Sequence, residues 1–237
     1  MLHRALGPAH VWCSDRTGGV SRAPYDSCNA ADHVGDDPAA VAANRAGIAA
    51  AAGLPPPEGW VWLEQVHGSD VHRATGPTAG RPVTADAAVT ACRGLPLAVV
   101  TADCAPIVLT SDDAIGVVHA GHRGLVGGVI EQAVAAVRSV GSGRVRAFLG
   151  PCIRPARYEF GADDLTRVVA ALGHDVAART ATGRPALDLP AAVRIALARA
   201  GVDDLDDCGI CTADSVVHYS FRRDGTTGRQ VTVAVLR

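Results

Sequence analysis

The chain has 237 residues, 48% of them apolar and 19% charged, with a formal charge of -2. This composition suits a folded globule, and it excludes a disordered chain or one that wraps nucleic acid with a basic surface. All 22 basic side chains are Arg. The absence of Lys excludes Schiff-base chemistry on a protein amine and a Walker A loop, and leaves phosphate recognition to Arg, backbone amides or a metal.

A short apolar run, Ala9 to Cys13, precedes a turn-rich segment from Ser14 to Asp37. Asp37-Pro38 reads as the N-cap and first position of a helix that runs to Ala52 and stops at Gly53. Leu54 to Gly59 is a proline-rich loop. Short apolar runs then predict strands over Val61–Val66, Asp70–Ala74, Asp86–Thr90, Leu97–Thr101, Ile107–Thr110 and Ile115–His119. Leu97 to Val100 is continuously apolar, as in a strand buried on both faces. The Gly-punctuated turn His119–Gly124 leads into a predicted helix, Leu125 to Val140, and a strand, Val145 to Leu149. The last third predicts a helix after Gly161, a helix from Leu189 to Ala200, and two closing strands. These are Ser215–Phe221 and Gln230–Leu236, joined across the turn Asp224–Gly228. No repeat or long linker divides the chain, so the expectation is a single catalytic domain over residues 1–237, of mixed α/β (α+β) class.

The seven Cys are an odd number, and no secretory pattern precedes them. Thiols that are free or metal-bound in a reducing compartment, hence a cytoplasmic protein, are expected. No stretch reaches the ~20 apolar residues of a membrane span, so no membrane partner is expected.

Three segments place reactive side chains among glycines at strand ends: Gln65-Val66-His67-Gly68, Thr101-Ala102-Asp103-Cys104-Ala105-Pro106, and the turn from His119 to Gly124. Side chains just past a buried strand are held by the sheet and point into a crevice. His67, Cys104 and His119 would supply the three ligands of a catalytic zinc with an open fourth position. Their long spacing equally allows a buried, inert Cys104 and two ordinary His. Asp103 beside Cys104 is expected to orient a ligand or cap backbone amides. Arg222 and Arg223 are candidate phosphate clamps. Arg45, on the first helix, is read as an ion-pair partner or a substrate contact. Trp60 and Trp62 are read as core residues, and Cys208-Gly209-Ile210-Cys211 as structural.

In this order, several motifs resemble one known family. They are Arg16-Thr17-Gly18-Gly19-Val20-Ser21, Val34-Gly35-Asp36-Asp37 through Asn44-Arg45, the three segments above, Ala85-Asp86-Ala87, Gly150-Pro151, Tyr158-Glu159, Cys211-Thr212, Ser220-Phe221-Arg222-Arg223 and Gly228-Arg229. The chain resembles the peptidoglycan-editing-factor family, long labelled multicopper polyphenol oxidase or laccase-like. The resemblance implies a layered sheet sandwich flanked by helices, with metal ligands at His67, Cys104 and His119. It also implies zinc-dependent phosphorolysis of purine nucleosides (adenosine, inosine, guanosine, methylthioadenosine), adenosine deaminase activity, and a link to peptidoglycan precursor editing. Nucleoside and phosphate are the implied partners; the oligomeric state stays open. The chain departs from the family pattern at His122, where Trp is usual, and at Phe160, where a smaller apolar residue is common. His122 is therefore a candidate fourth ligand, proton relay, substrate contact or surface substitution, and an extra ligand would close the open position that a catalytic zinc needs.

Other readings remain at this stage. Cys104 with His119 as base would make a cysteine hydrolase acting on cell-wall precursors. A copper-dependent polyphenol oxidase would use copper in place of zinc, but nine His with no His-x-His pair suit a multicopper site poorly. A non-enzymatic, zinc-stabilised partner of cell-wall synthesis is a further class.

Overall fold

Alternation along each buried strand decides which layer its side chains enter. The computed structural model describes residues 1–237. Its N-terminal part holds β1 (Leu2–Leu6), β2 (Ala9–Cys13), α1 (Pro38–Ala52) and the short strands β3 (Leu63–Glu64), β4 (Val71–Arg73) and β5 (Val83–Thr84). The middle holds β6 (Ala87–Thr90), β7 (Leu97–Thr101), β8 (Ala105–Thr110), β9 (Ile115–Ala120), α2 (His122–Val126), α3 (Val129–Val140) and β10 (Arg146–Leu149). The remainder holds α4 (Ala162–Leu172), β11 (Ala177–Arg179), β12 (Pro185–Leu187), α5 (Leu189–Arg199), β13 (Leu205–Asp207), α6 (Phe221–Asp224) and β14 (Gln230–Leu236).

Two sheets form the centre. A four-stranded antiparallel sheet has the order β1-β2-β14-β7, and a six-stranded mixed sheet the order β13-β10-β8-β9-β6-β4. Leu97, Val99, Ala234 and Leu236 of the first pack against Val108, Ile115, Val117 and Phe148 of the second. The intervening residues of the first sheet, Ala98, Val100, Val231, Val233 and Val235, face Ile48, Ala49 and Ala52 of α1 and the stacked pair Trp60 and Trp62. Ile107, Leu109 and Val118 of the second sheet face α3 and α5 through Val134, Val137, Val193 and Leu197. The result is a helix, sheet, sheet, helix layering of a mixed α/β domain. Each fully buried Val, Leu or Ile in these layers contributes about 1.5–3 kcal/mol.

The helix expected over Pro38–Ala52 forms with those bounds. The Asp37 carboxylate accepts from Ala39 N at 2.9 Å, and Gly53 closes the helix in a left-handed conformation. The helix expected over Leu125–Val140 is instead two: α2 starts earlier, at His122, and Gly128 at φ 80° separates it from α3. The expected closing strand Ser215–Phe221 is absent. Both edges of β14 are already occupied, by β2 and β7, so that segment cannot pair with β14 as a hairpin. It forms turns around the buried Tyr219, whose hydroxyl donates to Tyr25 O at 2.6 Å, and then α6, capped by Ser220. Strands β1, β5, β11, β12 and β13 were not predicted. Trp60 and Trp62 are core residues, as expected.

Truncating the fully buried Ile107 to Ala should lower the unfolding free energy by about 2–5 kcal/mol. Removing the α1 cap with Asp37→Ala should cost about 1 kcal/mol. Urea denaturation followed by far-UV circular dichroism measures both.

Candidate metal centre

Where β7 leaves the first sheet and crosses to β8 in the second, the sandwich has an open end, and three reactive side chains meet there. Cys104 lies in that crossing. His119 follows Ile115 and Val117 along the inter-sheet face of β9 and is 3% exposed. His67 comes from the loop after β3. One ligand atom from each lies within 4.8 Å of the others, and Cys104 Sγ is 3.9 Å from His67 Nε2. Two ligands around a tetrahedral zinc stand about 3.5 Å apart, given its bond lengths. Two imidazoles and one thiol also form a donor set that suits zinc. The residues present therefore fit a three-ligand metal site.

The buried carboxylate of Asp86 builds this arrangement. It accepts from the backbone amides of Val66 at 3.2 Å, His67 at 2.9 Å and Gly68 at 2.6 Å, and it pairs with His119 Nδ1 at 2.8 Å. Burial would raise its pKa, but the His119 bond and the amides of Gly68 and His67 outweigh that and hold it below the usual carboxylate range. With Nδ1–H given to Asp86, His119 turns Nε2 toward the cavity. Gln65 anchors the same loop to β7 by taking both backbone groups of Val100, donating to its O and accepting from its N, each at 2.8 Å.

His67 and Asp103 both have positive φ, 60° and 94°, a strained region for residues with a side chain. Asp86 offsets the strain at His67. At Asp103, one carboxylate oxygen accepts from the Thr212 hydroxyl and the other from Arg222 N, each at 2.6 Å. The expected amide-capping role is thus observed. Gly121 leaves room for the ligands, because a Cβ there would stand 2.9 Å from His67 Cδ2 and 3.3 Å from Cys104 Sγ.

Electrostatics favour the charged forms of Cys104 and His119. Burial pushes the Cys104 thiol up, but the charge and hydrogen bonds of His119 and His67 outweigh it and pull the pKa down. Burial likewise opposes charge on His119, and the Cys104 thiolate and Asp86 overcome it and raise that pKa. The two shifts reinforce each other, each favouring the ion pair over the neutral pair.

A family model described as multi-copper polyphenol oxidoreductase laccase matches residues 10–237. The chain belongs to this family. A purine nucleoside phosphorylase of Streptomyces coelicolor, SCO2081, is 45% identical over 227 residues, covering 93% of each chain. Purine nucleoside phosphorylase YfiH of Escherichia coli is 39% identical over 221 residues, covering 91% of this chain and 89% of its own. Among solved structures, Neisseria meningitidis protein NMB0706 superposes with a TM-score of 0.88 at 33% identity, covering 99% of this chain and 98% of its own. YlmD from Geobacillus stearothermophilus gives 0.89 at 31% identity, covering 97% and 92%.

Two cavities adjoin the trio. One, of about 270 Å³, is bounded by Thr101, His33, Gln65 and Arg229 as well as the three candidate ligands. The other, of about 290 Å³, is bounded by His67, Cys104, His122, Tyr158 and Arg222. Phe221 borders both. His122 opens α2 and packs edge-on against Phe160, with ring centroids 5.1 Å apart, so the two departures from the family pattern touch. Arg222 lies over the Tyr158 ring and donates to Glu159 O.

The structure places Arg45 and Arg223 outside both cavities. Arg45 stacks on Trp62 at 3.9 Å, donates to Ala30 O and pairs with Asp32. Arg223 bonds the carbonyls of Thr212, Ser215 and His218 and the carboxylate of Asp224. Cys208 and Cys211 are free thiols. Sequence reasoning assigned no role to Asp86, Gln65 or Arg229. The signal for Asp86 was an acidic residue set between alanines at the start of an apolar run.

Asp86→Asn should weaken metal binding by about 10–100-fold, as loss of an orienting partner does. Competition with a chromogenic chelator measures it. Gly121→Ala should lower bound metal as well, by displacing the His67 ring, while leaving the far-UV spectrum unchanged.

Proposed function

We propose that this chain is a zinc-dependent purine nucleoside phosphorylase that also deaminates adenosine at the same centre. The observation that carries the reading is the convergence of His67, Cys104 and His119 at the junction of two cavities. Relatives named purine nucleoside phosphorylase, at 45% and 39% identity over nine-tenths of the chain, support it. Inosine, guanosine, adenosine and methylthioadenosine are the proposed substrates.

In phosphorolysis, a phosphate oxygen bonds to C1′ of the ribose as the bond from C1′ to the purine nitrogen breaks. The base leaves with the electron pair and takes up a proton. A zinc ion held by His67, Cys104 and His119 supplies Lewis-acid stabilisation of negative charge when bound. The chain's own residues hold the two reactants together and limit the access of water. Asp86 keeps His119 and His67 in position through its hydrogen bonds. Tyr158 and His122 border the 290 Å³ cavity and are the proposed proton carriers, for the departing base and, in deamination, from the water that adds at C6 of adenine to the amino group that leaves as ammonia. A multicopper reading has less support, since the structure gathers a single group of three metal-competent side chains.

A second reading rests on the same geometry. Cys104, His119 and Asp86 stand in the order of a nucleophile, a base and its orienting carboxylate, and the lowered thiol pKa suits a cysteine hydrolase. Chelation separates the two, because a hydrolase would survive it.

Protein loaded with zinc and given inosine and inorganic phosphate should release hypoxanthine and ribose 1-phosphate, detected by chromatography. Omitting phosphate should stop the release. Cys104→Ala should lose both metal and turnover; full turnover by the metal-free variant would refute the proposal.

A further inference from the structure

We propose that Arg229 and the Thr101 hydroxyl form the phosphate subsite, and that the purine takes the opposite cavity. This rests on the phosphorylase reading and gives each cavity one reactant.

Arg229 precedes Gln230, which pairs with Thr101 in the β14–β7 register, so the two residues meet at one end of the first sheet. Its Nη1 donates to Thr227 O at 2.8 Å and Gly228 O at 3.0 Å, which fixes the guanidinium plane. The other edge, Nε and Nη2, is left as a planar two-donor fork, the arrangement that grips tetrahedral oxyanions. Other half-buried Arg side chains here meet a carboxylate: Arg16 meets Asp26 and Asp224, Arg45 meets Asp32, and Arg154 meets Asp207. Arg229, half-buried as they are, has no such carboxylate counter-charge. An anion entering the cavity would supply that charge.

Thr101 adds an independent observation. Its Oγ1 is buried without a hydrogen-bond partner, and the residue borders the same cavity as Arg229. A buried hydroxyl left unpaired is costly, and a phosphate oxygen would satisfy it. His33 and the candidate metal ligands complete that wall. The other cavity shares Phe221 and adds the Tyr158 ring, with Phe160 behind Tyr158 and His122. A flat heteroaromatic base suits that surface.

The test uses the full zinc-loaded chain. Calorimetric titration with inorganic phosphate alone should show binding that Arg229→Gln weakens by about tenfold or more, the range for a charged hydrogen bond. In turnover, the same variant should raise the KM for phosphate by a similar factor, with the KM for inosine changed less than about twofold and zinc content retained. Thr101→Val should raise the phosphate KM by about threefold to tenfold, the range for a neutral hydrogen bond. An unchanged phosphate KM in Arg229→Gln, or a rise confined to inosine, would overturn the assignment. If the wild type binds phosphate through Arg229 yet releases no hypoxanthine, the anion site stands and the phosphorylase reading falls.

Discussion

One buried carboxylate holds the centre together. Asp86 accepts from three consecutive amides of the loop carrying His67 and from the imidazole of His119. Its own position comes from the sheet: β6 pairs with β9 with Ala87 opposite Val118, and His119 N donates to Asp86 O at 2.7 Å. A one-residue slip of that register would turn the carboxylate and the imidazole to opposite faces. Its charge is tolerated in the interior because every donor around it is fixed by backbone or sheet, leaving little reorganisation to oppose burial.

The rest of the site follows from how the sandwich ends. The strands β7 and β9 carry Thr101 and His119 on the faces that meet between the sheets, so the last residues of that apolar layer are polar. The crossing from β7 to β8 passes over this end and delivers Cys104. The crossing bends through Asp103 in a strained conformation, held by Thr212 and the first turn of α6. The segment that forms α6 is thereby tied to the metal centre, and its Phe221 divides the two cavities. Charge preferences alternate along the site, from the Asp86 carboxylate to the raised pKa of His119 and the lowered pKa of Cys104. The lowered Cys104 pKa favours the thiolate form that ligates a metal, and His119 must give up its Nε2 proton to ligate beside it.

Much of the fold was legible from local pattern. The helix over Pro38–Ala52, the buried strand at Leu97 and the strand at Gln230–Leu236 each carry a signal within their own residues: a cap, a continuous apolar run, a period of two. Errors came where partners decided. Ser215–Phe221 has strand-like residues, but β14, the strand it would have joined as a hairpin, is already paired on both sides. The strands β11, β12 and β13 are three residues each, too short for any period to register. The split between α2 and α3 came from Gly127-Gly128, which the apolar stripe of the following helix obscured.

The site divides the same way. Residue chemistry made His67, Cys104 and His119 candidates while leaving an inert reading open, and the family resemblance carried the metal role onto them. Arg45 and Arg223 drew attention for their charge, and the structure engages both with carbonyls and carboxylates. The sequence by itself determined the layer each apolar side chain would seek, the absence of Lys and the reactive groups available. Only the tertiary structure decided that three of those groups share one point, that Asp86 orients two of them, and that Arg229 faces a cavity without a counter-ion. Those facts depend on contacts between residues far apart in the chain, and such contacts are set by sheet register and layer packing, which no local window of sequence encodes.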